Sequence, residues 1–274
     1  MPSDPQRAAD LAALAWLIEL GADEAIGDVP VDRTALPERA PWAGALAVAA
    51  TAPPASPALA PPAPAPAAPV VVPPAGAEGE AAARLAEGAG DLAALAAAME
   101  AFDCPLRAGA RRFVFADGTP GAPLMVVGEA PGREEDIEGR PFVGAAGRLL
   151  DRMLGAIGRD RAEAAPERAV YIANVLPWRP PGNRTPTPEE VARWRPFLLR
   201  HIALAAPRVM LVLGNTPAQA LLGQGGITRL RGRWTEVEGR PALPSFHPSY
   251  LLRRPEAKRE AWADLLEVRA RLGG

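Results

Sequence analysis

Pro123-Leu124-Met125-Val126-Val127-Gly128-Glu129-Ala130-Pro131-Gly132, followed by Arg133-Glu134-Glu135-Asp136-Ile137-Glu138-Gly139-Arg140-Pro141-Phe142-Val143-Gly144, decides the fold. An apolar run feeds a glycine-bearing loop, and Leu149, Leu150, Met153, Leu154 and Ile157 leave it at helical spacing. Strand, loop and helix in that order put the loop at the carboxyl end of a strand, where open α/β sheets keep their ligand sites.

Working outward, the pattern predicts strands over residues 124–128, 169–175, 209–214 and 242–246, and helices over 144–157, 188–205, 216–222 and 255–272. Thr187, Pro188 and Glu190 form a capping-box start for the second of these helices. Trp234 to Val237 and Pro241 to Phe246, joined through Glu238-Gly239-Arg240, read as a hairpin that adds one edge strand. The expected fold is a three-layer α/β/α sandwich on a small, mainly parallel four-stranded sheet, entered by a helical stretch over 81–101.

The chain has 274 residues, with 33 Pro and 26 Gly. Many of the prolines lie in an Ala/Pro/Val tract without helical or strand period, so 29–80 is expected to be a disordered linker. Residues 81–274 remain for the folded domain, enough for a sizeable core. Ahead of the linker, 1–28 carries Leu11, Leu14, Ala15 and Ile18 on one face of an amphipathic helix. Two readings of it are open: a helix resting on the main domain, or a tethered segment that meets a protein partner.

The formal net charge is -2, yet Arg229, Arg231, Arg233, Arg240, Arg253, Arg254, Lys258 and Arg259 crowd the last quarter. Local basicity of that kind suits a polyanion. The single cysteine, Cys104, excludes an internal disulfide and an all-cysteine metal site. No apolar run reaches spanning length and the N-terminus lacks a secretory pattern, so a cytoplasmic monomer without membrane contact is expected.

Polar residues end the strands: Glu129, Asn174, Asn215 and His247. If the strands run parallel, these converge on one crevice. Taken singly, Asn215 reads as an N-cap and His201 as a surface or packing residue. The acidic run Glu134-Glu135-Asp136 reads as a solvated loop rather than as metal ligands. Two loops follow the second and fourth strands: Pro177-Trp178-Arg179-Pro180-Pro181-Gly182-Asn183-Arg184, and His247-Pro248-Ser249-Tyr250-Leu251-Leu252-Arg253. The mixture of cations, hydroxyls and leucines in the second suits DNA, with leucine as a wedge at an unstacked base. Alternatively, Leu251 and Leu252 begin the buried face of the last helix.

Gly128 to Gly132, Gly139 to Gly144, Asn174, Arg179 to Arg184 and His247 to Arg253, in that order, resemble the motif set of the family-four uracil-DNA glycosylases from about Phe102 onward. The resemblance implies uracil-containing DNA as substrate and hydrolysis of the N-glycosidic bond to leave an abasic site. The alternative is a DNA-binding accessory on the same fold without catalysis. The implied catalytic residues are Glu129, His247 and Asn174, and the implied uracil-binding residues are Gly128, Ala130, Phe142 and Asn174. Arg179, Asn183, Arg184, Ser249, Leu251 and Arg253 are the implied DNA contacts. Phe142 supplies a stacking face, the Asn174 amide matches the uracil edge, and neutral His247 donates to O2 of the leaving base. Glu129, or else Asp136, orients water or steadies the cationic sugar. By analogy with other uracil glycosylases, Ala130 stands at the water-activating aspartate position.

Members of that family usually hold an iron–sulfur cluster on four cysteines. In register with the pattern, this chain has Ala101, Cys104, Trp178 and Trp194. A cubane cluster needs its thiolates, so no cofactor or metal is expected, with Trp178 and Trp194 filling the volume near Cys104.

Overall fold

The computed structural model describes residues 77–273. The expected N-terminal helix at 1–28 and the linker as far as 76 lie outside the described residues. Residues 77–80, assigned to the linker, instead open a helix.

In chain order the elements are α1 (Ala77–Gly88), α2 (Leu92–Ala101), β1 (Ala116–Gly118), β2 (Leu124–Gly128), α3 (Arg133–Glu138), α4 (Ala145–Ala156) and β3 (Val170–Asn174). They continue with α5 (Pro188–Ala205), β4 (Val209–Leu213), α6 (Asn215–Leu222), α7 (Ile227–Leu230), β5 (Thr235–Val237), β6 (Arg240–Ser245), α8 (Pro248–Arg253) and α9 (Lys258–Leu272). The single helix expected over 81–101 is two, broken at Ala89-Gly90, and Asp91 caps the second by accepting from the Ala94 N–H at 2.7 Å. At the start of α5, Thr187 and Glu190 make the reciprocal bonds of the capping box.

The sheet has six strands, in the order β1-β3-β2-β4-β6-β5, rather than four. The four expected strands form its parallel centre. β1 and β5 are antiparallel edges of three residues each. β1, Ala-Asp-Gly, is too short and polar to carry a strand period of its own. The β5–β6 hairpin was legible: Glu238 and Gly239 form its two-residue turn, both at positive φ (49° and 72°), the geometry that matches strand twist.

Alternate residues of the parallel strands go to opposite faces. Met125, Val127, Tyr171, Ala173, Met210 and Val212 pack with α1, α2, α5 and α6. Leu124, Val126, Val170, Ile172, Leu211 and Leu213 pack with α4 and α9. The chain is therefore an α/β/α sandwich. Its direction reverses at β2: α4 leads to β3 on one side, and α5 crosses on the opposite face to β4 on the other. That reversal makes the carboxyl end of β2 a switch point, where neighbouring loops splay apart and leave a crevice.

His201 is a packing residue. It lies fully buried on α5, with Nε2 2.9 Å from the Tyr171 hydroxyl and its ring stacked on Phe115 at 4.3 Å. Burial pushes its pKa down to about 3 and raises that of Tyr171. An unfolded imidazole titrates near 6.5, so the unfolded chain takes up a proton that the fold refuses. The resulting stability is full above that pH and is lost as pH falls below it, by about 2 kcal/mol at pH 5. Urea denaturation of wild type and His201→Gln from pH 8 to 5 checks this: the variant is expected to show the shallower fall, and equal slopes would refute it.

Candidate active site

Gly128 ends β2 directly opposite Asn174 at the end of β3, in parallel register. A Cβ on Gly128 would lie 2.5 Å from both Asn174 Oδ1 and the Phe142 ring. The missing side chain lets an amide and an aromatic face close over the strand end. Phe142 in turn stands 5.4 Å, centroid to centroid, from the His247 ring, tilted by 31°. These three side chains, with Glu129 and Ala130, line a cavity of about 350 Å³ completed by Asn183, Arg184, Ser249 and Arg253. Segments remote in sequence do converge. A second cavity of about 400 Å³ continues past Glu129 and His247 to Asn215, Thr216 and Tyr250.

His247 precedes α8 and caps it. Its Nδ1 accepts from the Ser249 backbone N–H at 3.2 Å and lies 2.8 Å from the Ser249 hydroxyl. A ring nitrogen that accepts from an amide carries no proton, so in the neutral ring the hydrogen sits on Nε2. Desolvation, reinforced by the Arg253 charge, lowers the His247 pKa to about 4. The ring is thus a neutral donor at neutral pH. Thr216, the second residue of α6, donates its hydroxyl to Glu129 Oε2 at 2.5 Å and fixes that carboxylate.

Several sequence expectations need correction. Leu251 is 1% exposed and packs with Leu149, Phe246, Ala257 and Ala261, so it cannot act as a wedge. Leu252, at 43%, is the exposed leucine of that loop. Arg179, its side chain a quarter exposed, is held by neighbours: its Nε donates to Asn183 Oδ1 at 2.6 Å, and its guanidinium faces Asp136 at 3.8 Å. Arg184 lines the cavity while gripping both oxygens of Glu190, at 2.8 and 2.6 Å. Asn215 is no N-cap; its side-chain oxygen accepts from the Gly226 and Ile227 N–H groups.

The acidic run is helical rather than a solvated loop, and two of its carboxylates are buried. Asp136 accepts from the backbone of Arg111 and Arg112, which removes it as a rival to Glu129. Glu135 accepts from the N–H groups of Gly132, Val143 and Gly144, each at 3.0 Å. Thr216 and Arg161, whose guanidinium reaches the carbonyls of Pro141 and Phe142, are not among the residues expected at the site, and Glu135 was expected only as part of a solvated run. Glu135 and Thr216 at least sit beside motif residues, whereas nothing local marks Arg161.

No group of His, Cys, Asp or Glu able to hold a metal ion occurs among the described residues. The four positions in register with cluster ligands do not fit a cluster either. Cys104 is buried, with its thiol pushed above its usual pKa by desolvation, and Trp178 and Trp194 share its apolar cluster. Trp194 meets Phe102 edge-on at 5.5 Å and lies 5.5 Å from Phe197, while Trp178 lies 5.3 Å from Phe113. Buried indoles stand at two of the positions where thiolates would be required.

A switch-point crevice lined by a stacking ring, an amide and a neutral imidazole defines a pocket for a small, flat, polar ligand. A profile of the Uracil DNA glycosylase superfamily matches residues 115–266. The chain is 40% identical over 174 residues to the type-4 uracil-DNA glycosylase of Archaeoglobus fulgidus, covering 60% of this chain and 84% of that protein. It is 43% identical over 153 residues to the type-4 enzyme of Thermotoga maritima, covering 55% and 77%. For that of Pyrobaculum aerophilum the identity is 38% over 177 residues, covering 59% and 84%. The chain belongs to the uracil-DNA glycosylase superfamily.

The fully buried indole of Trp194 packs against Phe102 and Phe197 in the core. Trp194→Ala is expected to destabilise the domain by about 3–5 kcal/mol, the range for deleting a large buried aromatic, as measured by urea denaturation. A loss below about 1 kcal/mol would show that the indole is not a packing element.

Proposed function

We propose that the protein excises uracil from DNA by hydrolysing the N-glycosidic bond, leaving an abasic site. The observation that carries this reading is the His247 ring, held neutral with its Nε2 hydrogen free, on the wall that also bears Asn174 and Phe142. The target base leaves the stack, at a cost of a few kcal/mol, and lies against Phe142. The Asn174 amide accepts from uracil N3–H and donates to O4. Cytosine presents the reverse polarity and leaves both groups unpaired.

As the bond from C1′ to N1 breaks, its electron pair goes to the base, and negative charge gathers on O2. His247 donates to that oxygen from Nε2 without giving up its proton, so the leaving group departs as an anion. Water adds its oxygen to C1′, and the proton it loses passes to the departed uracil anion or to solvent. Glu129, fixed by Thr216, is the group set to orient that water and to steady the positive sugar. Ala130, beside it, offers no functional group. Arg253 and Ser249 sit at the rim, suited to phosphate oxygens.

Among the described residues no helix is long and apolar enough to cross a membrane, and a DNA substrate fits the cytoplasmic setting expected from the sequence. The burial of Trp178 and Trp194 in the apolar core, at two of the ligand positions, supports a domain that folds without an iron–sulfur cluster.

Cleavage of a uracil-containing oligonucleotide after alkali tests the activity, and a protein inert on every such substrate would overturn the reading. Asn174→Ala and His247→Ala are expected to lower turnover on the order of 10²-fold or more with DNA affinity nearly unchanged. Equal losses in both would count against the roles. Because His247 is neutral above about 4, the excision rate should show no His247 titration from pH 8 to 5.5. A decline centred near 6.5 would contradict the donor assignment. Iron and sulfide assays on anaerobically purified protein should find neither in stoichiometric amount.

A further inference from the structure

Phe142 is one of the described non-glycine residues at positive φ, 54°, a conformation costly for a bulky side chain. Two charged groups grip the peptide units on its carboxyl and amino sides. From one side, the Arg161 guanidinium donates to the carbonyls of Pro141 at 2.9 Å and Phe142 at 3.0 Å. From the other, Glu135 Oε1 accepts from the N–H groups of the next two residues, Val143 and Gly144. Arg161 is itself aimed by two carboxylates, Asp117 on β1 at 3.1 Å and Asp151 on α4 at 2.7 Å. The helix also makes room, since a Cβ on Gly147 would overlap the Phe142 carbonyl.

We propose that Arg161 and Glu135 form a two-sided clamp that sets the stacking face, making both positioning residues for base capture. The inference rests on Phe142 being that face. Neither carboxylate nor guanidinium need touch the substrate: each acts by fixing the peptide units next to Phe142, so the ring stands over the strand end where Gly128 leaves space. Without the guanidinium, the two carbonyls lose their charged donor and the chain at 142 can relax toward the ordinary negative-φ region. The ring, pivoting about that backbone, then leaves its contact with His247.

Two measurements test the clamp. In a crystal structure of Arg161→Ala, Phe142 is expected to leave positive φ and its ring to move away from His247; an unmoved ring would overturn the proposal. Single-turnover excision by Phe142→Ala, Arg161→Ala and the double variant supplies the second. Each single change should slow the reaction about thirtyfold, within the loss of up to about a hundredfold for an oriented group displaced by about 1 Å. The double variant should be no slower than Phe142→Ala alone. Arg161→Lys, which keeps a cation between Asp117 and Asp151, should recover much of the rate. Multiplying losses would mean that Arg161 acts elsewhere and would sink the clamp. A displaced ring with unchanged excision would instead sink the stacking role. If Arg161→Ala does not fold, Arg161→Lys and Glu135→Gln enter the same comparisons, with smaller expected losses and the same required non-additivity.

Discussion

The parallel pairing of Gly128 with Asn174 is the constraint on which the site depends. It brings two strand ends level, and the absence of a side chain on one allows the amide of the other to share the space with Phe142. The Val175 and Leu176 N–H groups then bond the carbonyls of Gly128 and Glu129, so the loops after β2 and β3 leave the sheet tied together. One more tie completes the floor: the Gly214 N–H bonds the carbonyl of Ser245, which holds the start of α6 beside the turn that carries His247. Each loop is fixed by backbone bonds before any side chain adds its own contact.

What the sequence disclosed follows from the range over which each signal acts. Buried parallel strands are continuous apolar runs, so Leu124–Gly128, Val170–Asn174 and Val209–Leu213 were readable to within a residue or so. Their polar ends were readable as well, since parallel strands must discharge at one edge. β1 was not, because three residues stabilised by pairing with β3 carry no period of their own. Burial of charge was equally hidden. Glu134, Glu135 and Asp136 look alike in sequence, yet Glu135 turns onto the amides of its own loop and Asp136 onto those of Arg111 and Arg112, a segment that only the fold brings near. Leu251 and Leu252 were indistinguishable for the same reason: which one faces Phe246 depends on the direction in which α8 leaves the sheet.

The proposed chemistry leans on a donor that stays neutral. An imidazolium at His247 would bind an anion more strongly, but it would also sit charged beside Arg253 in a wall that desolvates it, and both effects drive the proton off. A neutral Nε2–H stabilises developing charge without the cost of holding a cation in the empty pocket. Ser249 settles which nitrogen keeps the hydrogen by offering its amide to the other. In the proposed chemistry the residue that caps α8 is also the donor to the leaving group, so that helix start and tautomer would be set by a single hydrogen bond.

Phe142 shows how such a site stores conformational cost. A glycine would adopt positive φ freely but could not supply the stacking face proposed for Phe142, so that role asks for a backbone and a side chain that disfavour each other. The difference, of order 1–3 kcal/mol, is offset by charge-assisted bonds on the neighbouring peptide groups, each stronger than a neutral bond. Arg161 sits outside the motifs, in the loop that leads to β3, and its carboxylate partners come from β1 and α4. The short edge strand that sequence could not reveal thus supplies part of the support for the ring that the motif made most visible.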